Sequence, residues 1–561
     1  MHFRLSLAQF LNPSIYVYCF SFLCASPLVA SHHLEEFYGD FLCEEKEVLS
    51  AVDLSSPCIC AGCGSIPYPT NDDYQTPDPI TDSPKVWSFV SAPNLHPMKI
   101  TVNTFKRGVA AGLIFLAPYG FSNDAMYGQS GALIVDNEGN PVWFRPLSSP
   151  NLMNTDFRMQ TFNGKPVLTF WQGTLATPPA YVNAPAGSSE PGSCYYIIDN
   201  TYGVIKTVTA QKGFTSDIHE FLLTPNNTAL LLSTKSVPMD LTPYGGPKNG
   251  YVQDFAIQEI DLHTNEMVFF WDALQHIPLT DSYESASSAE LSGNIWDAFH
   301  LNSIGLTDNV NDIVVSGRNT WTIYKINKPT GNIIWRLGGK QSSFTIESGG
   351  EFSWQHDARF LPNNLISLFD DNSDGSSVAG PPSHGLILQL DLVHMSASLH
   401  RSYYHDPNIT VSSQGNVQSL GNGNKFVGWG QSQYYSEYKD AGNSESDPAL
   451  NLLYAAQFPS PNYTYRAYRN TWVGRPFYPP SIGITSTKAE TTVYASWNGS
   501  TETSQWQVWA GSKSKELVLV GSAARTGFET AITVSNKGPY FKVKALNAHG
   551  QVIGESKTIK F

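Results

Sequence analysis

Three histidines stand in similar settings along the chain: His219 in SDIHEF, His300 in DAFHLN and His356 in SWQHDAR, each opening a run rich in apolar residues. One arginine, Arg318 in VVSGRNTW, ends the apolar run that follows His300. Imidazole is a frequent ligand of transition metals, so three imidazoles brought together could hold a cation. A guanidinium beside that cation would repel it. The same side chains suit a tetrahedral oxyanion, with arginine as a donor fork and histidine N–H groups as further donors. A neutral histidine among them could also attack as a nucleophile. The other histidines, such as His263, His384, His394, His400, His405 and His549, fall in turns or outer strands and are read as structural.

Such chemistry needs a fold that gathers distant segments, and a repeat supplies one. Five segments share an apolar run, an Asp or Asn, a short turn and a second apolar run: ALIVDNEGNPVWF, YYIIDNTYGVIKTV, IQEIDLHTNEMVFFW, IYKINKPTGNIIW and ILQLDLVHMSASLH. Their anchors are Asp136, Asp199, Asp261, Asn327 and Asp391, separated by 63, 62, 66 and 64 residues. A degenerate sixth copy is expected near residue 455, in NLLYAAQFPSPNYTYRAY. The units also carry a hairpin, for example FRMQTFNGKPVLTFW and HDARFLPNNLISLFDD, with Asn-Gly or Pro-Asn-Asn at the turn. Two hairpins make a four-stranded antiparallel sheet. Six such sheets repeating radially over residues 101–475 predict an all-β, six-bladed β-propeller, which limits exposed sheet edges. The first strand of each blade lines the channel, so His219, His300 and His356, from consecutive blades, should meet at one mouth within reach of Arg318.

The pattern changes after GRPFYPPS. Residues 482–561 read as a small fibronectin type III/immunoglobulin-like β-sandwich, with Trp497 and Tyr540 as core aromatics. At the other end, residues 1–30 carry Arg4, an apolar stretch and small residues, the pattern of a signal peptide, with an uncleaved anchor as the alternative. A Cys-containing lead, residues 31–100, follows. Secretion is the expectation, and N-x-S/T sequons at Asn226, Asn408, Asn462 and Asn498 fit it. Disulfides are then the better reading of Cys43, Cys58, Cys60, Cys63 and Cys194, with their pairing open; five is odd, so at least one thiol is free or intermolecular. A net charge of −14 argues against nucleic-acid and anionic-membrane partners.

The registered histidines, Arg318, WQHDARFLPNNLISLFDD and GNVQSLGNGNKFVGWG with SEYKDAG resemble the arylsulfotransferase family, particularly its fungal branch. The resemblance implies transfer of a sulfuryl group from an aryl sulfate to a phenolic acceptor. It implies a sulfohistidine intermediate and no nucleotide sulfate donor or other cofactor. Carried over by motif, His356 is the nucleophile, His219 and His300 are the two other channel histidines, and Arg318 is the arginine that follows the second. Asp357 is turned from His356 by strand alternation and is not expected to orient it. The Cys-containing lead and the carboxyl-terminal sandwich depart from the bacterial members, which carry an extra amino-terminal sandwich. Two rival readings stand beside this one: a non-catalytic propeller that binds a sulfated or carboxylated ligand, and a metal-dependent hydrolase or lyase.

Overall fold

A computed structural model describes residues 78–120, 125–149, 152–174, 193–375, 380–487, 490–535 and 538–561. The segment read as a signal peptide, most of the lead, and Cys43, Cys58, Cys60 and Cys63 lie outside them. Among the described residues no helix is long and apolar enough to cross a membrane.

The fold is all-β and propeller-like. The second sheet runs through Leu152–Phe162, Lys165–Thr174, Cys194–Ile198 and Val204–Val208, each strand paired antiparallel with the next. The third starts at Thr215–Leu223, the fourth at Leu301–Leu306, the fifth at His356–Leu361 and the sixth at Asn416–Ser419. The first sheet is built differently. Its strands Leu113–Leu116, Gly131–Val135 and Pro141–Pro146 take their innermost partner, Tyr468–Asn470, from the far end of the ring. In exchange, Thr101–Phe105 adds to the outside of the sixth sheet.

Apolar residues on both faces of the strands explain why the sheets close on one another. In the strand Thr228–Met239, Leu230 and Leu232 pack with Ile304 and Val315 of the fourth sheet. The intervening Ala229 and Leu231 pack with Val167 and Ile197 of the second. Similar buried clusters lie between the first and second, fourth and fifth, fifth and sixth, and sixth and first sheets. The apolar layers therefore form a closed circuit.

The repeat anchors have a local cause. Asp136 Oδ1 accepts from the backbone N–H groups of Glu138 and Asn140, at 3.0 and 2.8 Å. Asp199, Asp261, Asn327 and Asp391 hold the same turn between the third and fourth strands of their sheets. At the hairpin Asn163–Gly164 both residues have positive φ (50° and 71°), as a two-residue primed turn requires. The sixth copy departs from expectation. Residue 455 lies in the fourth strand, Leu452–Gln457, and the turn before it is lengthened to residues 439–451.

Beyond the ring, Ser481–Ser486, Thr491–Ser496 and Glu529–Val534 form one sheet, and a second is built around Gln505–Gly511 and Tyr540–Leu546. Trp497, Trp506 and Phe541 are buried between them. Tyr540, expected in that core, is only half-buried, because alternation gives the inward position to Phe541. Two sequons are committed to the fold. Asn462 is fully buried and bonds both backbone groups of Tyr127, while Asn498 does the same with Phe144. Asn226 and Asn408 are exposed.

Candidate active site

His219, His300 and His356 come together. Their ring centroids are 4.8 Å (His219–His300), 6.5 Å (His219–His356) and 6.4 Å (His300–His356) apart. One nitrogen of each lies within 4.8 Å of the other two. Irregular inner strands make this possible. The pairing of the first two strands slips between Ser216 and Phe221, Leu301 and Ser303, and His356 and Arg359. His300, one residue ahead of its strand, has φ 49°, and Asp357 has φ 55°. Such bulges re-aim side chains that regular strands would turn elsewhere.

Each imidazole is fixed by a carboxylate on Nδ1: Asp217 at 2.6 Å from His219, Asp297 at 2.5 Å from His300 and Asp371 at 2.6 Å from His356. Nε2 is then the nitrogen left for chemistry in all three, although in His356 the backbone N–H of Gln414 lies 3.3 Å from both ring nitrogens. The carboxylates carried signals that went unread. Asp217 and Asp297 precede their histidines by two and three residues, in SDIH and DAFH. Asp371 lies fifteen residues beyond His356, on the far side of a hairpin in which His356 pairs with Phe369.

Burial, followed by the Arg318 guanidinium and the two neighbouring imidazoles, holds His356 well below the ordinary histidine range. Asp371 is pushed well above the carboxylate range by burial, against the pull of Arg318. Both shifts disfavour separated charge and favour the neutral form of the His356 ring. Burial also lowers His300, although Asp297 opposes it. For Asp297 burial works upward, but His300 and Arg318 outweigh it and hold the carboxyl below its usual range.

Arg318 lies beside this group. Its backbone N–H donates to His300 O at 3.0 Å. Its guanidinium donates to Asn319 Oδ1 (3.0 Å) and Ser412 O (3.2 Å) and lies 4.9 Å from the Trp354 ring centroid. Nε has no partner among the described residues. Three imidazoles could hold a first-row divalent cation, but a buried guanidinium against them favours an anion.

Beneath the histidines lies a cluster of Asp156, Glu220 and Asp357 with Arg158, Arg359 and Arg466. Arg466 reaches Asp156 at 2.9 Å and Glu220 at 3.2 Å; Arg359 reaches Glu220 at 2.7 Å and Asp357 at 2.5 Å. Asp357 thus serves this cluster, and Asp371 orients His356. Equal numbers of opposite charges tie the inner strands together below the site.

The site is an uncharged, carboxylate-oriented imidazole facing two others and a guanidinium, within a propeller-like ring: an arrangement for handling a small oxyanion. A family profile described as Arylsulfotransferase (ASST) matches residues 158–446, just over half of the chain and the span that carries all four side chains. The chain belongs to the arylsulfotransferase family. No curated protein matches it. Among solved structures, a protein of unknown function from Bacteroides caccae is 11% identical at a TM-score of 0.35, covering 64% of this chain and 98% of that one. The periplasmic gluconolactonase PpgL of Pseudomonas aeruginosa is 11% identical at 0.27, covering 67% and 93%. TolB from Acinetobacter baumannii is 13% identical at 0.30, covering 64% and 67%. These likenesses are loose.

Proposed function

We propose that the protein is a secreted, nucleotide-independent aryl sulfotransferase, built as a six-bladed propeller with a fibronectin type III-like domain after it. It moves a sulfuryl group from an aryl sulfate to a phenolic acceptor through a sulfohistidine on His356. The observation that carries this reading is the meeting of an uncharged His356 with His219, His300 and Arg318 inside the span matched by the family. Nε2 of His356 attacks sulfur while Arg318 and the neighbouring N–H groups bind the sulfuryl oxygens. As in phosphoryl transfer, positioning and charge stabilisation do most of the catalytic work. The six sheets and their closed circuit of apolar layers support the six-bladed reading. Exposed sequons at Asn226 and Asn408 are compatible with secretion.

The test is incubation with a chromogenic aryl sulfate, with and without a phenol. Acceptor-dependent release of the chromophore, abolished in His356→Asn and unaffected by a chelator, is expected. Binding of the aryl sulfate without turnover would favour a non-catalytic propeller, and loss of turnover with a chelator would favour a metal-dependent enzyme.

A further inference from the structure

The three histidine–carboxylate pairs differ in their access to water. The side chains of His356 and Asp371 are 1% and 0% exposed, and those of His219 and Asp217 9% and 10%. Those of His300 and Asp297 are 25% and 36% exposed. Sulfuryl transfer between aryl oxygens also moves a proton. The departing oxygen needs one and the accepting phenol loses one, so the group that carries it must be open to both oxygens in turn.

From this asymmetry we propose that His300 is the general acid and base of the transfer, with Asp297 as its positioning residue. The assignment rests on the sulfuryl-transfer reading above. In the first half-reaction the Nε2 lone pair of His356 forms the N–S bond and the S–O bond to the aryl group breaks. His300 starts this step as an imidazolium, with Nδ1–H on Asp297, and its Nε2 proton passes to the departing oxygen. In the second, the phenol oxygen forms its bond to sulfur and the N–S bond breaks, returning its electron pair to His356. The phenol proton then passes to His300 Nε2. Nothing is oxidised or reduced, and both histidines end as they began.

Asp297 accepts the Nδ1–H bond at 2.5 Å, so Nε2 is the nitrogen that gains and loses the proton. Its backbone tie, from His300 N–H at 3.1 Å, holds the same carboxylate in place. The charged and titratable groups facing His300 are Asp297, which favours its protonated form, His219 and Arg318, which oppose it, and the neutral His356 ring, 6.4 Å away. His219 is a poorer candidate. Its ring lies between those of His300, His356 and Tyr465, and its carboxylate has less contact with solvent.

A general acid matters only where the leaving oxygen is basic, so the test compares two donors. 4-Nitrophenyl sulfate releases a stable phenolate, whereas phenyl sulfate releases a phenolate of pKa about 10, close to that of tyrosine. His300→Asn suits the site because residue 300 has φ 49°, in a region Asn tolerates; thermal melting checks its folding. In kcat/KM for the donor, His300→Asn should lose ~10²–10⁴-fold on phenyl sulfate and far less on 4-nitrophenyl sulfate. Asp297→Asn should show the same selectivity with a smaller loss, which a merely structural role would not produce. His219→Asn should lose about equally on both. Equal losses in His300→Asn, or selectivity confined to His219→Asn, would overturn the assignment while leaving the transfer reading intact. A wild-type protein that turns over neither donor would contradict both.

Discussion

His356 owes its reactivity to where its charges are kept. Burial and Arg318 hold its pKa well below the ordinary histidine range, and Asp371 lies on Nδ1, so attack through Nε2 uses the tautomer that carries its proton on Nδ1. The pH dependence follows. A histidine with a lowered pKa stays neutral until the pH falls through that lowered value. With 4-nitrophenyl sulfate, which needs no proton on departure, kcat/KM should hold steady from pH 8 to below 6.5 and fall only at more acid pH. An acid limb centred above 6.5 would contradict the charge state assigned to His356. Arg318→Lys should lower kcat by ~10²–10³, the usual cost of removing one oriented oxyanion donor, because an ammonium cannot reproduce the fork. Single-turnover kinetics with the purified variant would measure it.

The inner strands set the geometry, and here the sequence was legible only in part. Hairpins and anchor residues could be found because turn chemistry is local: an Asx side chain bonds backbone two to four residues away. The three histidines could be placed in register because the repeat counts residues. Bulges at Asp156, His300 and Asp357 could not be found, since Asp and His tolerate positive φ but do not by themselves demand it. Asp371 was hidden because its partnership crosses a hairpin whose register depends on one of those bulges. The acids Glu220 and Asp357, each directly after a site histidine, did carry a signal. Alternation sends one side chain to the site and the next into the ion cluster. Glu220→Gln removes a partner of three arginines, Arg158, Arg359 and Arg466, in a buried network. Breaking such a network costs about 3–5 kcal/mol. Urea unfolding should show that loss in the midpoint, and an unchanged midpoint would mean the cluster is dispensable.

At the scale of the whole molecule, the carboxyl-terminal sheets are fastened to the ring. Asn498 bonds both backbone groups of Phe144, and Gly499 donates to Val142 O at 2.8 Å and accepts from Tyr202 Oη at 2.8 Å. A Cβ on Gly499 would lie 2.3 Å from the Tyr202 ring, so the contact depends on glycine. The described part of the lead joins in, through Ser91 to Glu529 at 2.6 Å and Phe89 against Phe528. The composition break at GRPFYPPS is therefore a boundary in sequence that the packing bridges. A chain ending at Pro480 should melt several degrees lower than the full chain while keeping its histidine cluster, because none of His219, His300, His356 or Arg318 bonds to any described residue beyond Pro480. Differential scanning calorimetry beside the aryl sulfate assay would check both halves. An unchanged melting temperature would show that the interface adds no stability.

The central claim is that His356 is a covalent nucleophile. The most direct measurement is the mass of the peptide containing His356 after exposure to an aryl sulfate without acceptor, with the digest kept near neutral or mildly alkaline pH because the N–S bond is acid-labile. The account predicts that this peptide gains one sulfuryl group on His356, loses it when a phenol is added, and never gains it in His356→Asn. Turnover without any such adduct, or an adduct that persists in His356→Asn, would contradict it.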